Sequence, residues 1–137
     1  MALFYVGVGS MHFLNPKPFL IITPSYLPFR LELVYISGFL EILFGLLLCS
    51  QKYRKIAGYG LIILLVLVFP ANIHLYLDET TRLAYGSISK NDALIRMFFQ
   101  PLLIIMAYWH SHNRQTNSPL LIIISIITIF YFTIIVL

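Results

Sequence analysis

Charged side chains are scarce in this sequence. Asp, Glu, Lys and Arg together make up 10% of the 137 residues, whereas 60% are hydrophobic. A water-soluble domain of this length could not bury so much apolar surface. The composition therefore argues against a soluble fold and predicts an integral membrane protein whose main partner is the lipid bilayer.

Cysteine is nearly absent too, since Cys49 is the only one. A lone thiol forms no internal disulfide and provides no CxxC pair for dithiol redox chemistry. The sequence also contains no flavin, haem or iron–sulfur signature. We therefore expect no intrinsic cofactor. A quinone-like ligand or a redox protein partner would have to carry any electrons.

The positive charge has no long basic run. Nine Lys and Arg against five Asp and Glu give a formal net charge of +4. The tightest basic group is Lys52, Arg54 and Lys55. This pattern gives little support to nucleic-acid binding and suits lipid headgroups. Because basic loops favour the cytoplasmic side, we expect residues 51–56 and 111–118 to be cytoplasmic loops of a plasma (inner) membrane protein.

Long apolar runs are what the sequence has in quantity. A spanning helix needs roughly 20 mostly apolar residues to cross about 30 Å of hydrocarbon. The fold class is therefore predicted as all-α, a polytopic membrane four-helix bundle with an additional C-terminal transmembrane helix. We place the bundle in residues 1–112 and the loop with the extra helix in residues 113–137. Spans are predicted at about 31–50, 57–77, 94–110 and 119–137, and a shorter first helix at 2–14.

Turn and cap signals separate these runs. Residues 15–30 contain four prolines, which forbid a long regular helix and favour an ordered cap or a re-entrant segment. Ser89 and Asp92 have the spacing of a capping box at the start of the fourth span. Ser118 followed by Pro119 suits the beginning of the last helix.

Glu41 lies near the middle of a predicted span, where a buried ionisable group costs at least a few kcal/mol without a partner or a water-filled cavity. At 100° per residue, Gly38 and Gly45 fall within about 60° of it. Those small residues would let a neighbouring helix approach the same face. Glu32 comes out about 180° away, so the two carboxylates cannot pair on one face.

The fourth span carries Arg96 and Gln100, which are four residues apart and share a face. Arg96 is the best local partner for Glu32 or Glu41. In the neighbouring span, Pro70 should kink the helix and free the carbonyl of Val66. Pro101 should do the same for the carbonyl of Met97.

Asn72 and His74 follow the proline in the third span. They would diverge by about 160° on a straight helix, so we favour Asn72 for the bundle interior. Counted inward from the outer ends of the predicted helices, the polar groups all lie in the outer half, and the inner half is apolar. They are His12, Glu32, His74 and Arg96 in the first turn, Asn72 and Gln100 one or two turns in, and Glu41 near the middle. Glu32 and His74 are the secondary candidates among them.

Simpler roles exist for several of these residues. Glu32 and Arg96 can reach the membrane surface, and His12 and His74 can face headgroups. We expect no metal site, because no HxxxH pair or carboxylate lies at ligand spacing. Catalytic residues are not identifiable. Glu41 is the residue without a simpler role, because it is too deep to reach bulk water.

Five ordered motifs between residues 7 and 112 resemble the DoxX and DoxX-like family of small membrane proteins. The short first helix, the extra segment 119–137, and Met97–Phe99 where a proline is common depart from that pattern. The motifs are G-S-M-H-F-L-N-P at 9–16, P-x-x-L-P at 24–28, G-x-x-E-x-x-x-G at 38–45, F-P-A-N-I-H at 69–74, and R-x-x-x-Q at 96–100.

The resemblance implies a four-helix membrane bundle with His12, Glu41, Asn72, Arg96 and Gln100 as its buried polar cluster. Some DoxX relatives are associated with thiosulfate and quinone oxidoreduction or with oxidative-stress complexes. A related animal branch resembles a receptor-assembly chaperone. The leading hypothesis is therefore a membrane protein that binds a quinone-like or other small ligand within a redox-linked complex.

In that hypothesis Arg96 and Gln100 hold an oxygen-bearing group, and Glu41 accepts a proton. The chain would not be an enzyme on its own, but a subunit of a membrane oxidoreductase. One rival is a non-catalytic assembly, chaperone or scaffold subunit that docks membrane partners. A second rival is a small-molecule transporter, which without an inverted repeat would need a homo-oligomer to alternate access.

Overall fold

The structure is a computed structural model that describes residues 1–112 and 119–136. Within those ranges the chain forms seven helices and no strand, which confirms the all-α prediction. The helices are α1 Ala2–Leu14, α2 Lys17–Ile22, α3 Arg30–Leu47, α4 Arg54–Leu77, α5 Glu79–Gly86, α6 Lys90–His112 and α7 Pro119–Val136.

Two of the described helices, α4 and α6, are long and apolar enough to cross a membrane. They contain 24 and 23 residues, and correspond to the predicted spans at 57–77 and 94–110. Helix α1 is apolar but has 13 residues, as the sequence predicts. Helix α3 has 18 residues and carries Arg30, Glu32 and Glu41.

Helix α1 packs against α3 through paired glycines. A Cβ atom built on Gly38 would lie 2.5 Å from the Cβ of His12, and one on Gly9 would lie 2.6 Å from the Gly38 carbonyl oxygen. Neither contact tolerates a side chain, so the glycines permit the close approach of the two backbones. The predicted small-residue face of α3 is therefore confirmed, and its neighbour is α1.

Helices α4 and α6 form a second closely packed pair. A Cβ atom on Gly58 would lie 2.2 Å from the Cβ of Ser111. Beside this contact lies an apolar core that also includes Tyr5 and Leu48 from the α1–α3 pair. It occupies the end of the bundle near residues 51–56, and the two helix pairs meet there. Its buried members are Tyr5, Leu48, Ala57, Leu61, Leu65, Leu103 and Ala107.

The proline-rich segment 15–30 contains the short helix α2, with proline in its first turn. Arg30, the first residue of α3, holds α2 against α3 by hydrogen bonds. Its Nη2 donates hydrogen bonds to the carbonyl oxygens of Leu20 and Thr23, the second at 2.8 Å. The segment is thus ordered over the bundle, in keeping with the predicted cap.

Helix α5 was not predicted from the sequence. Its N-cap is Asp78, whose carboxylate accepts hydrogen bonds from the Thr80 hydroxyl at 2.7 Å and the Thr81 backbone N–H at 2.9 Å. These bonds lower the pKa of Asp78 to about 2, because they stabilise the charged form. An aspartate cap of this kind is the local signal that identifies the helix.

The predicted capping box at the start of α6 is confirmed. The Asp92 N–H donates to Ser89 Oγ at 3.1 Å, and the Ser89 N–H donates to Asp92 Oδ2 at 3.3 Å. Helix α7 begins at Pro119, as predicted. Ser118 and the greater part of the predicted loop 111–118 lie outside the described residues.

Candidate functional site

A polar cavity of about 110 Å³ lies where α1, α2, α3, α4 and α6 converge. The five residues of the predicted polar cluster all line it, and we call it the polar cavity. Helix α2 covers it with Phe19 and Ile22, whereas Leu65 and Leu103 connect it to the apolar core. The predicted residues at the cavity are His12 from α1, Glu41 from α3, Asn72 from α4, and Arg96 and Gln100 from α6.

Glu41 and His12 face each other across the α1–α3 contact. His12 Nδ1 lies 3.6 Å from Glu41 Oε2 and 3.0 Å from the Val8 carbonyl oxygen. Because a carbonyl can only accept, Nδ1 carries the hydrogen, and Nε2 of the neutral ring is an acceptor. The ring stacks on Phe19, with centroids 3.7 Å apart.

The distance between His12 and Glu41 is too long for a good hydrogen bond. Glu41 Oε2 is fully buried and accepts no hydrogen bond from the residues that the structure describes. Glu41 as a whole is 8% exposed. This oxygen is therefore a hydrogen-bond acceptor with unused capacity inside the protein.

Arg96 is buried, at 5% exposure, and its guanidinium group is held by Tyr85 of α5. Arg96 Nη1 donates to the Tyr85 hydroxyl at 2.7 Å, and the guanidinium carbon lies 4.8 Å from the Tyr85 ring centroid. The Nε–H is buried and donates to none of the described residues. It is a hydrogen-bond donor that a ligand could use.

The expected ion pair of Arg96 with Glu32 or Glu41 is wrong. No such pair lies within 4.0 Å among the described residues, and the basic side chain within that distance of Glu41 is His12. The reason is that the Arg96 guanidinium donates to Tyr85 instead, and Tyr85 lies on α5, a helix that the sequence pattern did not predict. Arg96 and Glu41 line the same cavity without a direct bond.

Asn72 and Gln100 bridge α4 and α6. Asn72 Nδ2 donates to Gln100 Oε1, and Gln100 Nε2 donates to the Leu65 carbonyl oxygen at 2.7 Å. The sequence predicted that Pro70 would expose the carbonyl of Val66, but the acceptor that Gln100 uses is one residue earlier. Since both ends of the Gln100 amide are used, Gln100 positions the site rather than facing a ligand.

The secondary candidates are not brought into the site. Among the described residues that line the polar cavity, neither Glu32 nor His74 is found. Glu32 is exposed while Glu41 is buried, as the helical-wheel angle predicts. His74 has a buried Nδ1 without a hydrogen-bond partner in the described part of the chain, but it lies apart from the cavity. Asn72 and His74 are both partly buried, and of the two Asn72 lines the cavity.

Sequence reasoning missed Tyr85 and Ser37. Tyr85 reaches Arg96 from α5, and Ser37 lines the cavity one helical turn before Glu41. Position on the buried face of α3 could have identified Ser37, but no local pattern pointed to Tyr85.

The arrangement can bind a small polar group. It provides a donor on Arg96 Nε and an acceptor on Glu41 Oε2, both out of contact with bulk water. Over residues 1–112 and 119–136, no group of three or more His, Cys, Asp or Glu could hold a metal ion.

A protein-family model matches most of the chain. The family described as Domain of unknown function (DUF8561) matches residues 1–111, a range that ends within α6 and leaves α7 outside. No curated protein and no solved structure matches the chain.

Proposed function

The chain belongs to the DUF8561 family, a domain of unknown function, and we propose that it is an integral membrane protein that binds a small ligand in the polar cavity. The observation that carries this proposal is a pair of buried polar atoms on that cavity. Glu41 Oε2 and Arg96 Nε have no hydrogen-bond partner among the described residues. Leaving such groups unsatisfied costs about 1–3 kcal/mol each, so a ligand that pairs with both would bind favourably.

The membrane assignment rests on composition and on what the helices expose. Besides the two helices of spanning length, large apolar side chains such as Leu67 on α4 and Ile105 on α6 are exposed by more than 60%. Lipid is the solvent that such a surface requires. In this proposal α1, α3, α4 and α6 form a four-helix bundle of the plasma membrane, and α7 is an additional span.

The proposed roles follow from the hydrogen bonds. Arg96 holds an oxygen of the ligand through Nε, and Glu41 accepts a hydrogen bond or a proton at Oε2. Asn72 and Gln100 keep α4 and α6 at the right separation, and His12 keeps Glu41 on the cavity side. Gln100 thereby changes from the ligand-holding residue of the sequence hypothesis to a positioning residue.

A quinone-like molecule meets these requirements. Its carbonyl oxygen accepts from Arg96, and the hydroxyl of its reduced form donates to Glu41. The DoxX-like motifs support the same choice, because their polar residues are the ones that meet at the cavity. With a lone Cys49, the chain itself would bind the ligand within a redox-linked complex, and a partner protein would exchange the electrons.

The test compares two carboxylates on one helix. Wild-type protein, Glu41→Gln and Glu32→Gln are purified from membranes, and bound small molecules are quantified by mass spectrometry. We expect Glu41→Gln to lower ligand content by about tenfold or more, because the amide replaces one acceptor oxygen by a donor, and a lost hydrogen bond of about 1.4 kcal/mol corresponds to tenfold. Glu32→Gln is the control and should match wild type, because Glu32 lies outside the cavity.

An Arg96→Lys variant provides a second measurement, because it keeps the charge but removes Nε. If wild-type protein carries no small molecule, or if folded Glu41→Gln retains it fully, the proposal fails. Collapse of expression in both Glu41→Gln and Arg96→Lys would indicate a structural network in an assembly or scaffold subunit instead.

A further inference from the structure

An apolar groove adjoins the polar cavity. Its volume is about 330 Å³, three times the 110 Å³ of the polar cavity, and it lies between the segment after α2 and helices α3 and α4. The two spaces share part of their lining, so they are contiguous. The shared residues are Thr23, Val34, Ser37, Val68 and Ala71.

The groove faces outward. Leu33, Ile36 and Leu67 line it, and each of these side chains is at least 41% exposed. In a membrane this surface contacts lipid, so a hydrophobic chain could enter the groove sideways from the bilayer. The polar cavity would then be reached past the shared residues.

The charges in the polar cavity favour a neutral head. Arg96 contributes a permanent positive charge, and Glu41 contributes a carboxyl group whose Oε2 has no donor among the described residues. An anionic head without a hydroxyl would leave that oxygen without a donor, and a cationic head would be repelled by the Arg96 guanidinium. A neutral head with one acceptor oxygen and one hydroxyl pairs with both and repels neither.

The size of the cavity limits the head. An apolar cavity of about 150 Å³ holds benzene, and the polar cavity is somewhat smaller at 110 Å³. The head is therefore limited to at most about the size of one six-membered ring.

We propose that the polar cavity and the apolar groove form one site for a neutral, single-chain amphiphile. Its compact head, with an acceptor oxygen and a hydroxyl, lies between Arg96 and Glu41, and its apolar tail lies in the groove. This inference rests on the proposed function and specifies the class of ligand. A ring head on an alkyl or isoprenoid chain and a glycerol head on an acyl chain share this chemistry.

The test uses six probes on the detergent-purified full chain, with binding followed by the shift of the thermal unfolding midpoint. Decylhydroquinone and monodecanoylglycerol have neutral heads with tails, and hydroquinone and glycerol are their tail-free counterparts. Decanoate and decyltrimethylammonium carry charged heads on similar tails. We expect at least one neutral tailed probe to bind about tenfold or more tightly than its tail-free counterpart and than both charged probes. The probe that binds identifies the source of the head.

A matched pair of serine variants tests the route of the tail. Ser37 donates to the Val34 carbonyl and lines the junction, whereas Ser10 donates to the Val6 carbonyl and lines neither space. Ser37→Phe should abolish the preference for the tailed probe, and Ser10→Phe should preserve it. Since both variants are measured in the same micelles, partitioning of the probe into detergent cancels.

Several results would overturn the inference. Equal binding of tailed and tail-free neutral probes would show that the groove does not bind the tail, although the polar cavity would still bind the head. If a charged probe binds most tightly, the proposed preference for a neutral head is wrong. If the two serine variants prefer the tailed probe equally, the tail does not pass Ser37 into the groove. If no probe binds, the inference falls, while the ligand content of purified protein tests the proposed function separately.

Should Ser37→Phe not fold, Ile36→Trp and Leu46→Trp repeat the comparison. They are 55% and 58% exposed on the same helix, and of the two only Ile36 lines the groove. Ile36→Trp should then reduce the tail preference and Leu46→Trp should not. The reverse order, or no difference, overturns the inference.

Discussion

Gln100 uses both ends of its side-chain amide within the protein: the oxygen accepts from Asn72 Nδ2, and the nitrogen donates to the Leu65 carbonyl. In a low-dielectric environment each of these bonds replaces an unsatisfied polar group. At the scale of single residues, the site thus divides into side chains that hold the helices and side chains left open to a ligand. Glu41 and Arg96 belong to the second kind.

The Asn72–Gln100 bond can be measured by a double-mutant cycle of Asn72→Ala and Gln100→Ala. Interhelical hydrogen bonds in membranes contribute about 0.6 kcal/mol on average and up to about 1.7 kcal/mol. We expect a coupling free energy in that range, measured from unfolding in mixed micelles. The pair Asn72→Ala and Glu32→Gln is the control and should be additive, because Glu32 contacts neither partner. Additivity in the Asn72–Gln100 cycle would show that the bond does not link α4 to α6.

The two carboxylates of α3 show what a helical wheel can and cannot predict about single residues. Nine residues of helix put Glu32 and Glu41 on opposite sides, and the structure has one exposed and the other buried. Periodicity alone therefore predicted which carboxylate lies inside. It could not predict that His12 lies beside Glu41, because that depends on how α1 lies across α3.

At the scale of elements, the α1–α3 contact is set by backbone distance. Gly9 and Gly38 bring the two helices together at the level of His12, and this places the His12 ring between Glu41 and Phe19. The contact therefore both packs the bundle and forms one wall of the polar cavity.

Gly38→Ala tests this contact against Gly7→Ala. A methyl group at position 38 would collide with the Cβ of His12, whereas one at position 7 meets nothing within 4 Å. We expect Gly38→Ala to lower the free energy of unfolding by about 1–3 kcal/mol, as overpacking does. Gly7→Ala should leave it unchanged or raise it by up to about 1 kcal/mol, because alanine is the better helix former. Both values come from reversible unfolding in mixed micelles, and similar changes in the two variants would contradict the close contact.

Helix α5 shows where prediction of elements failed. Its signal is a single aspartate cap in a polar stretch of eight residues, too weak to stand out beside the long apolar runs. The consequence is large, because Tyr85 of α5 binds the guanidinium of Arg96 and leaves Glu41 without it.

At the scale of the whole molecule, the polar cavity lies toward one end of the bundle and the apolar core toward the other. The loop 51–56 marks the core end, and α5 marks the cavity end. Basic residues in that loop predict that the core end faces the cytoplasm. On that prediction, the cavity would lie beneath the outer surface of the membrane.

Cysteine labelling in intact cells tests this orientation. Cys49 is exposed and lies just before the 51–56 loop, so a membrane-impermeant maleimide should react with it only after the cells are opened. In a Cys49→Ser, Ser87→Cys double variant, the exposed Ser87 position should react in intact cells. Labelling read by gel shift distinguishes the cases. The reverse result inverts the orientation, and labelling of both from one side would show that α4 does not cross the membrane.

The sequence by itself determined where α1, α3, α4, α6 and α7 lie, which face of α3 is buried, and the capping box of α6. Each of these depends on residues within a few turns of one another, where helix geometry and backbone hydrogen bonding decide the outcome. The high cost of burying polar groups in apolar helices drew attention to the polar residues of the outer half, and the DoxX-like motifs selected the five that line the cavity. Only the tertiary structure decided that Arg96 binds Tyr85, that Gln100 forms hydrogen bonds with Asn72 and Leu65, and that an apolar groove adjoins the cavity. Those features depend on the distances and angles between helices, and these follow from packing across the whole bundle rather than from any local pattern.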